Sequence, residues 1–362
     1  MGAMIKRRGS KPVRIGSIVV GGGAPVVVQS MANTDTRDVP ATVAQIKRLE
    51  EQGCEIVRVA VPDMEAAQAI PAIKKAINIP LVADIHFNYR LALTAIAGGV
   101  DALRLNPGNI QNHQQVKAVV SAAKEREIPI RIGVNAGSLP PNVGGQEPSG
   151  KPQSISERMV QAALGHIRIL EDMDFDLIKV SLKSFDVPTT IAAYQRMAEL
   201  VNYPFHLGIT EAGTPRAGSI RSAVGIGTLL HMGLGDTIRV SLTGDPVEEV
   251  ITAYEILKAL NLREHGPVLV SCPTCGRTEI DLVGLATAVE KRLEGIDKPI
   301  KVAVMGCVVN GPGEAREADV GIAGGKGRGV IFRKGEIVRT VPENELYPAL
   351  LAEIDKLLAE TS

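Results

Sequence analysis

The chain has 362 residues, 45% apolar and 22% charged, with 40 basic and 40 acidic side chains. That length holds one large barrel plus a second module, and the composition excludes a disordered chain. A formal net charge of zero and 3% aromatics without Trp exclude a general nucleic-acid binder, which needs a basic field and stacking rings.

In chain order, the basic start Met1–Arg8 runs into Gly9, Ser10, Lys11 and Pro12 rather than an apolar stretch, so a secretory signal does not fit. No apolar run reaches the roughly 18 residues of a membrane span. β-rich runs then follow at Val26–Ser30, Glu55–Val61, Leu81–Ile85, Asp101–Leu105, Ile130–Val134, Asp176–Ser181, Phe205–Ile209 and Thr237–Ser241. After each comes a stretch with helical spacing of apolar residues. Pro40, Asp63 and the pair Ser154 and Glu157 mark helix starts, while Gly53, Gly98 with Gly99, and Gly233 mark ends. This strict alternation over residues 1–262 predicts an α/β fold, a (β/α)8 TIM-type barrel. An open doubly wound sheet shares the local signals. However, Gly21-Gly22-Gly23 precedes the first strand and leads into Ala24-Pro25, so it cannot open a helix on a pyrophosphate. The stretch Ala136–Gln153, rich in Pro and Gly, reads as an active-site loop.

Residues 263–267 read as a linker, and 268–362 as a small α+β domain. Its predicted strands are Val268–Ser271, Lys301–Met305, Val320–Ala323, Val330–Arg333 and Glu336–Val341, with helices near Leu282–Leu293 and Glu343–Leu358. Gly324 to Gly329 lacks the Walker spacing and is followed by a strand, so a hairpin turn is expected there rather than a phosphate loop.

Five barrel strands embed a cation between apolar neighbours: Val57-Arg58-Val59, Leu103-Arg104-Leu105, Ile130-Arg131-Ile132, Ile178-Lys179-Val180 and Ile238-Arg239-Val240. Strand side chains alternate, so the neighbours face the helices and the cations face the barrel interior. Unpaired buried cations are costly. Asp84, Glu211 and Asp245 are available as counter-charges but are too few for all five, before Lys183 is counted. A ring of this kind at the C-terminal face of a barrel suits a diphosphate or a similarly charged small substrate. Further polar residues fall at strand ends, among them His86, Asn106, Asn135, Ser181 and Thr210.

There are four cysteines. Cys54 precedes the second strand at the far end of the barrel and reads as a small buried residue. Cys272-Pro273-Thr274-Cys275 and Cys307 each follow a strand of the second domain, so the two groups can meet. A structural zinc site commonly wants a second C-x-x-C pair. Three thiolates plus one other position suit a 4Fe–4S cluster, and Glu314, in the loop after Cys307, is the candidate for a displaceable fourth ligand. Zinc remains the alternative, in a barrel transferase or pterin-binding enzyme with a structural metal tail. Clustered cysteines without a secretory signal indicate a reducing compartment, the cytoplasm.

The motifs Val28-Gln29-Ser30-Met31, Ala83-Asp84-Ile85-His86-Phe87-Asn88, Arg104-Leu105-Asn106-Pro107-Gly108-Asn109, Gly208-Ile209-Thr210-Glu211, Ser271-Cys272-Pro273-Thr274-Cys275 and Met305 to Glu314 closely resemble the bacterial 4-hydroxy-3-methylbut-2-enyl diphosphate synthase family. The resemblance spans nearly the whole chain. It implies a two-domain iron–sulfur oxidoreductase of isoprenoid precursor synthesis, whose substrate is 2-C-methylerythritol 2,4-cyclodiphosphate. It implies that Cys272, Cys275, Cys307 and Glu314 bind a 4Fe–4S cluster. Arg58, Arg104, Arg131 and Lys179 would hold the diphosphate, with Lys183, Arg239, Asn135, Asp84 and His86 near it. Glu211 and Asn310 would lie beside the substrate. Flavodoxin or ferredoxin would supply two electrons, and in a homodimer the cluster domain of one subunit would close over the barrel of the other.

Overall fold

In the computed structural model, which describes residues 5–110, 112–139, 153–307 and 316–360, the chain opens with an element that the strand pattern does not announce. Strand β1 (Val13–Ile15) pairs antiparallel with β2 (Ile18–Val20), turning at Gly16 with φ +55°. A Cβ on Gly16 would lie 2.9 Å from both Asp101 Oδ1 and Pro80 Cγ, so the turn seats directly against the barrel.

All eight predicted barrel strands form: β3 (Val27–Met31), β4 (Ile56–Ala60), β5 (Leu81–Asp84), β6 (Ala102–Arg104), β7 (Ile130–Asn135), β8 (Ile178–Lys183), β9 (His206–Leu207) and β10 (Thr237–Ile238). They pair in parallel in the order β8-β7-β6-β5-β4-β3-β10-β9. The pairing of Thr237 with Val27 joins the last strand to the first. Between β8 and β9 the ring closes through a bridge of Val180 with Phe205, where the Val180 N–H donates to Pro204 O at 2.9 Å. The result is the expected TIM-type barrel.

The intervening helices are α1 (Val39–Glu51), α2 (Met64–Ala76), α3 (Tyr89–Ala97), α4 (His113–Glu125), α5 (Ile155–Glu171), α6 (Val187–Leu200), α7 (Pro215–His231) and α8 (Pro246–Ala259). Several begin at a side-chain cap, as where Asp63 Oδ1 accepts from Ala66 N and Ser154 Oγ accepts from Glu157 N. Outward strand residues such as Val57, Val59, Ile130 and Ile132 are fully buried beneath these helices. Cys54 is buried as well, its thiol donating to Ile56 O at 3.2 Å and pushed up to about 12 by burial.

Inside the barrel, the N-terminal end is apolar. Ile15 and Val20 of the hairpin close on Val27, Ile56, Val82 and Ala102 in one apolar cluster. The hairpin is therefore a plug, and Ile15→Ala should destabilise the protein by about 2–5 kcal/mol through loss of packing and a residual cavity. Chemical unfolding of the two proteins measures this, and a difference below about 1 kcal/mol would show that the plug is not part of the cooperative core.

The contacts divide the chain into Met1–Arg263 and Glu264–Ser362. In the second unit the strands β11 (Val268–Ser271), β12 (Lys301–Met305), β13 (Val320–Gly325), β14 (Arg328–Arg333) and β15 (Glu336–Pro342) form one sheet in that order. The first three are parallel and the last two antiparallel to their neighbours. One face of the sheet packs Val302, Val304, Val320, Ile322 and Ile331 with residues of α9 (Leu282–Leu293) and the C-terminal helix Leu346–Glu360. The glycine run 324–329 forms the β13–β14 hairpin, with Gly325 paired to Arg328.

Candidate active site

Above the apolar plug the barrel interior becomes polar, and the change is complete around the ring. The pattern read from five strands extends to all eight. The inward positions, in barrel order from β3 to β10, are Gln29, Arg58, Asp84, Arg104, Arg131, Lys179, His206 and Arg239. All but Arg239 are buried. Lys183, at the end of β8, adds a sixth cation and is buried too. Two interior glycines make room for these groups. A Cβ on Gly208 would sit 2.6 Å from Lys183 Nζ and 2.7 Å from the Arg239 carbonyl, and one on Gly133 would sit 3.1 Å from Arg104 Nε.

The counter-charges differ from those expected. Asp84 does lie in the ring, with Oδ2 at 3.6 Å from Arg58 Nε and Oδ1 at 3.5 Å from Arg104 Nη1. Asp245 does not. It caps α8, accepting from Val247 N, and pairs with Arg48 on the exposed outer side. Glu211 is exposed in the turn after β9, with a left-handed φ of +55° that is unusual for a residue with a side chain. The second carboxylate is instead Glu249, from the first turn of α8, which is buried and lies 3.3 Å from Arg239 Nε. The sequence held a signal for it: Glu249 shares the buried stripe of α8 with Val250, Ala253 and Leu257, an odd place for an unpaired acid.

Among the described residues, only two carboxylates, Asp84 and Glu249, make ion pairs with the six cations, and Asp236 acts on Lys179 without pairing with it. Burial, followed by the like charges of Arg58 and Arg104, holds Arg131 well below the usual arginine value. Burial likewise lowers Lys179 and Lys183, with Arg131 adding to the effect on each. Several polar atoms of the ring have no hydrogen-bond partner among the described residues: Gln29 Nε2 and Oε1, Arg131 Nε and Nη2, Arg104 Nη1 and His206 Nε2. Buried donors left unpaired in this way are costly unless a ligand or water completes them. The donors of the set suit an anion.

At the strand ends, Asn106 clamps Gly133 from both sides, donating from Nδ2 to its carbonyl at 2.8 Å and accepting from its N–H at 2.9 Å. This extends β6 against β7 and fixes the segment leading to Asn135, which is half-buried at the end of β7. His86 is exposed just beyond β5, and its carbonyl accepts from Asn109 Nδ2 at 3.3 Å. Asn310 and Glu314 lie outside the described residues, as does most of the glycine-rich stretch after Leu139.

In the second unit, Cys272 and Cys307 follow the neighbouring parallel strands β11 and β12. Cys272 Sγ accepts from the Gly306 N–H at 3.1 Å, which ties it to the residue before Cys307. Cys275 is exposed, and the Arg277 backbone N–H lowers its thiol from the ordinary value. All three are free thiols. Among the described residues no three His, Cys, Asp or Glu side chains already converge as a metal site. The donor set nevertheless fits an iron–sulfur cluster: soft ligands, on loops at adjoining strand ends, one of them accepting a backbone N–H as cluster sulfurs do.

Comparisons with known proteins agree with this geometry. The description GcpE TIM-barrel domain matches residues 10–254, and GcpE protein C-terminal domain matches 268–356. A protein of Dehalococcoides mccartyi named 4-hydroxy-3-methylbut-2-en-1-yl diphosphate synthase (flavodoxin) is 64% identical over 98% of this chain and 100% of its own length. One of the same name from Geobacter sulfurreducens is 61% identical over 97% of this chain and 98% of its own. Among solved structures, dihydropteroate synthase from Stenotrophomonas maltophilia superposes with a TM-score of 0.51 at 15% identity, covering 70% of this chain and 98% of its own. That likeness shows a shared barrel fold and nothing of the chemistry.

Proposed function

The chain belongs to the GcpE family, and on that premise we propose that it reductively opens and dehydrates 2-C-methyl-D-erythritol 2,4-cyclodiphosphate to 4-hydroxy-3-methylbut-2-enyl diphosphate. The observation that carries the reading is that, among the described residues, six cations of the barrel site are ion-paired with only two carboxylates. Each phosphate of a cyclic diphosphate ester bears one negative charge, so the substrate supplies two of the four missing counter-charges. Arg58, Arg104, Arg131, Lys179, Lys183 and Arg239 hold the diphosphate, with guanidinium forks matched to phosphate oxygens. Asn135 and His86, at the rim, orient the sugar-derived carbons. Asp84 keeps Arg58 and Arg104 in place between substrate molecules.

Cys272, Cys275, Cys307 and Glu314 would hold a 4Fe–4S cluster. When bound, such a group supplies single electrons at low potential and a Lewis-acidic iron. The overall change consumes two electrons and two protons and releases one water, so a donor such as flavodoxin or ferredoxin is part of the proposal. Glu211, at a left-handed turn after β9, would hold or deliver a proton at a substrate hydroxyl, and Asn310 would position the same group. We place the enzyme in the cytoplasm, where free thiols stay reduced, as a homodimer in which each barrel is served by the partner's cluster domain. No helix among the described residues is long and apolar enough to cross a membrane.

Titration calorimetry with the cyclic diphosphate tests the reading. Binding should weaken steeply with added salt, and Arg131→Gln should weaken it by roughly 100-fold, the loss of a charged fork in a buried site. Unchanged affinity in Arg131→Gln would remove the barrel interior as the diphosphate site.

A further inference from the structure

Glu249 reaches the barrel site from helix α8 rather than from a strand. Its two oxygens are both used. Oε2 accepts from Ser30 Oγ at 3.3 Å and lies 3.3 Å from Arg239 Nε. Oε1 accepts from the Leu242 N–H at 3.0 Å and lies 3.4 Å from Arg239 Nη2. The carboxylate therefore grips the guanidinium fork with both oxygens while Ser30 on β3 and the backbone after β10 hold it from behind. On the other side, Arg239 Nη1 reaches Met31 Sδ at 3.5 Å, and the same sulfur accepts from Arg58 Nη2 at 2.9 Å and Nε at 3.1 Å. A thioether is a weak acceptor. It separates two guanidiniums without neutralising either.

We propose that Glu249 is a positioning residue: it sets the Arg239 guanidinium, across the β3–β10 seam, at the angle in which its remaining N–H groups receive the diphosphate. The proposal deepens the functional reading above and rests on Arg239 being a diphosphate contact. Two effects of the carboxylate oppose each other. As a bare charge, Glu249 lowers the positive potential of the ring, so removing it should tighten an anion's binding. As an orienting group, it holds a long, rotamer-rich side chain ready, so removing it should weaken binding. The bidentate grip and the backing from Ser30 and Leu242 favour orientation as the larger effect. An amide at this position accepts with one atom only and turns an N–H₂ group toward a guanidinium N–H.

The test is steady-state turnover of the cluster-loaded enzyme with the cyclic diphosphate and excess reduced flavodoxin, comparing Glu249→Gln, Arg239→Gln and the double variant, with thermal unfolding as the folding check. Glu249→Gln should raise KM by roughly tenfold with a much smaller change in kcat, as loss of a charge-assisted pair that acts on ground-state binding. Glu249→Asp should recover part of the loss, and in the Arg239→Gln background Glu249→Gln should add no further rise. Should Glu249→Gln not fold, Ser30→Ala gives the milder form of the same experiment, with a smaller rise in KM. A lower or unchanged KM in the folded variant, or an equal penalty with Arg239 already removed, would overturn the positioning role. An unaltered KM in Arg239→Gln would overturn it differently, by removing the diphosphate contact through which Glu249 acts.

Discussion

Cys307→Ser is expected to leave the chain folded, to strip it of iron and sulfide, and to reduce turnover by at least ~100-fold, the scale on which metal-site losses are felt even beyond the ligands themselves. The fold should survive because Cys307 belongs to neither apolar cluster of the second unit, whereas Cys272 packs against both. Val302, Val304, Val320, Ile322 and Ile331 pack with α9 and the C-terminal helix, and the cysteines lie at or beyond the strand ends. Iron and acid-labile sulfide per chain after anaerobic purification, with far-UV circular dichroism beside them, measure both halves of the expectation. A variant that retained full iron and sulfide would exclude Cys307 as a ligand. Zinc without sulfide in the parent protein would exclude the redox chemistry altogether.

Asp84→Asn should cost roughly 3–5 kcal/mol of stability at neutral pH, the usual penalty for removing one partner of a buried ion pair. Asp84 is the carboxylate nearest Arg58 and Arg104, and it lies buried with both guanidiniums within 4 Å. Burial alone would raise its pKa, but the charges of Arg58, Arg104 and Arg131 outweigh burial and hold it below the usual carboxylate value. A depressed folded-state pKa sets the sign of the pH dependence. The stabilisation is fully present above the unfolded value of about 3.9 and is lost as the pH falls through the lower folded one. Urea unfolding of parent and variant should therefore differ most at neutral pH and converge in acid. An anion that binds the ring should recover part of the deficit at neutral pH. A gap that stayed constant from neutral pH down to acid would show that Asp84 stabilises by packing rather than by charge.

The eight barrel strands were legible as short β-rich runs alternating with stretches of helical spacing, and in five of them an embedded cation breaks the apolar run. A cation or an acid flanked by Val, Ile or Leu signals period-two alternation that a helix would not place so regularly. The same feature located the candidate site, since the residues that mark the strands are also those that line the polar half of the barrel. The pattern was broader than five cations, because Gln29, Asp84 and His206 occupy equivalent places with other chemistry. The plug β1–β2 escaped notice because three-residue strands carry too little periodicity, and their stability comes from Ile15 and Val20 meeting residues far along the chain.

Glu249 was passed over for a different reason. In the first turn of a helix after Asp245-Pro246, an acid reads as a partner for the helix dipole, and only the register of α8 against the barrel turns it inward. Asp245 was misassigned by the same reasoning reversed: an acid near the ring in sequence is spent on the cap of α8 and on Arg48. The cysteines were legible as a group because each follows a strand, and the sheet order supplies the fact that β11 and β12 are neighbours.

Reductive opening of the cyclic diphosphate is the activity that these features serve. The most direct measurement is anaerobic incubation of the iron-loaded protein with 2-C-methyl-D-erythritol 2,4-cyclodiphosphate and reduced flavodoxin, following both products and electrons by mass spectrometry and flavin absorbance. The account predicts one 4-hydroxy-3-methylbut-2-enyl diphosphate for every two electrons consumed, with none formed when the reductant is omitted. A protein that carried its full iron and sulfide and bound the cyclic diphosphate, yet released no such product under reduction, would contradict it.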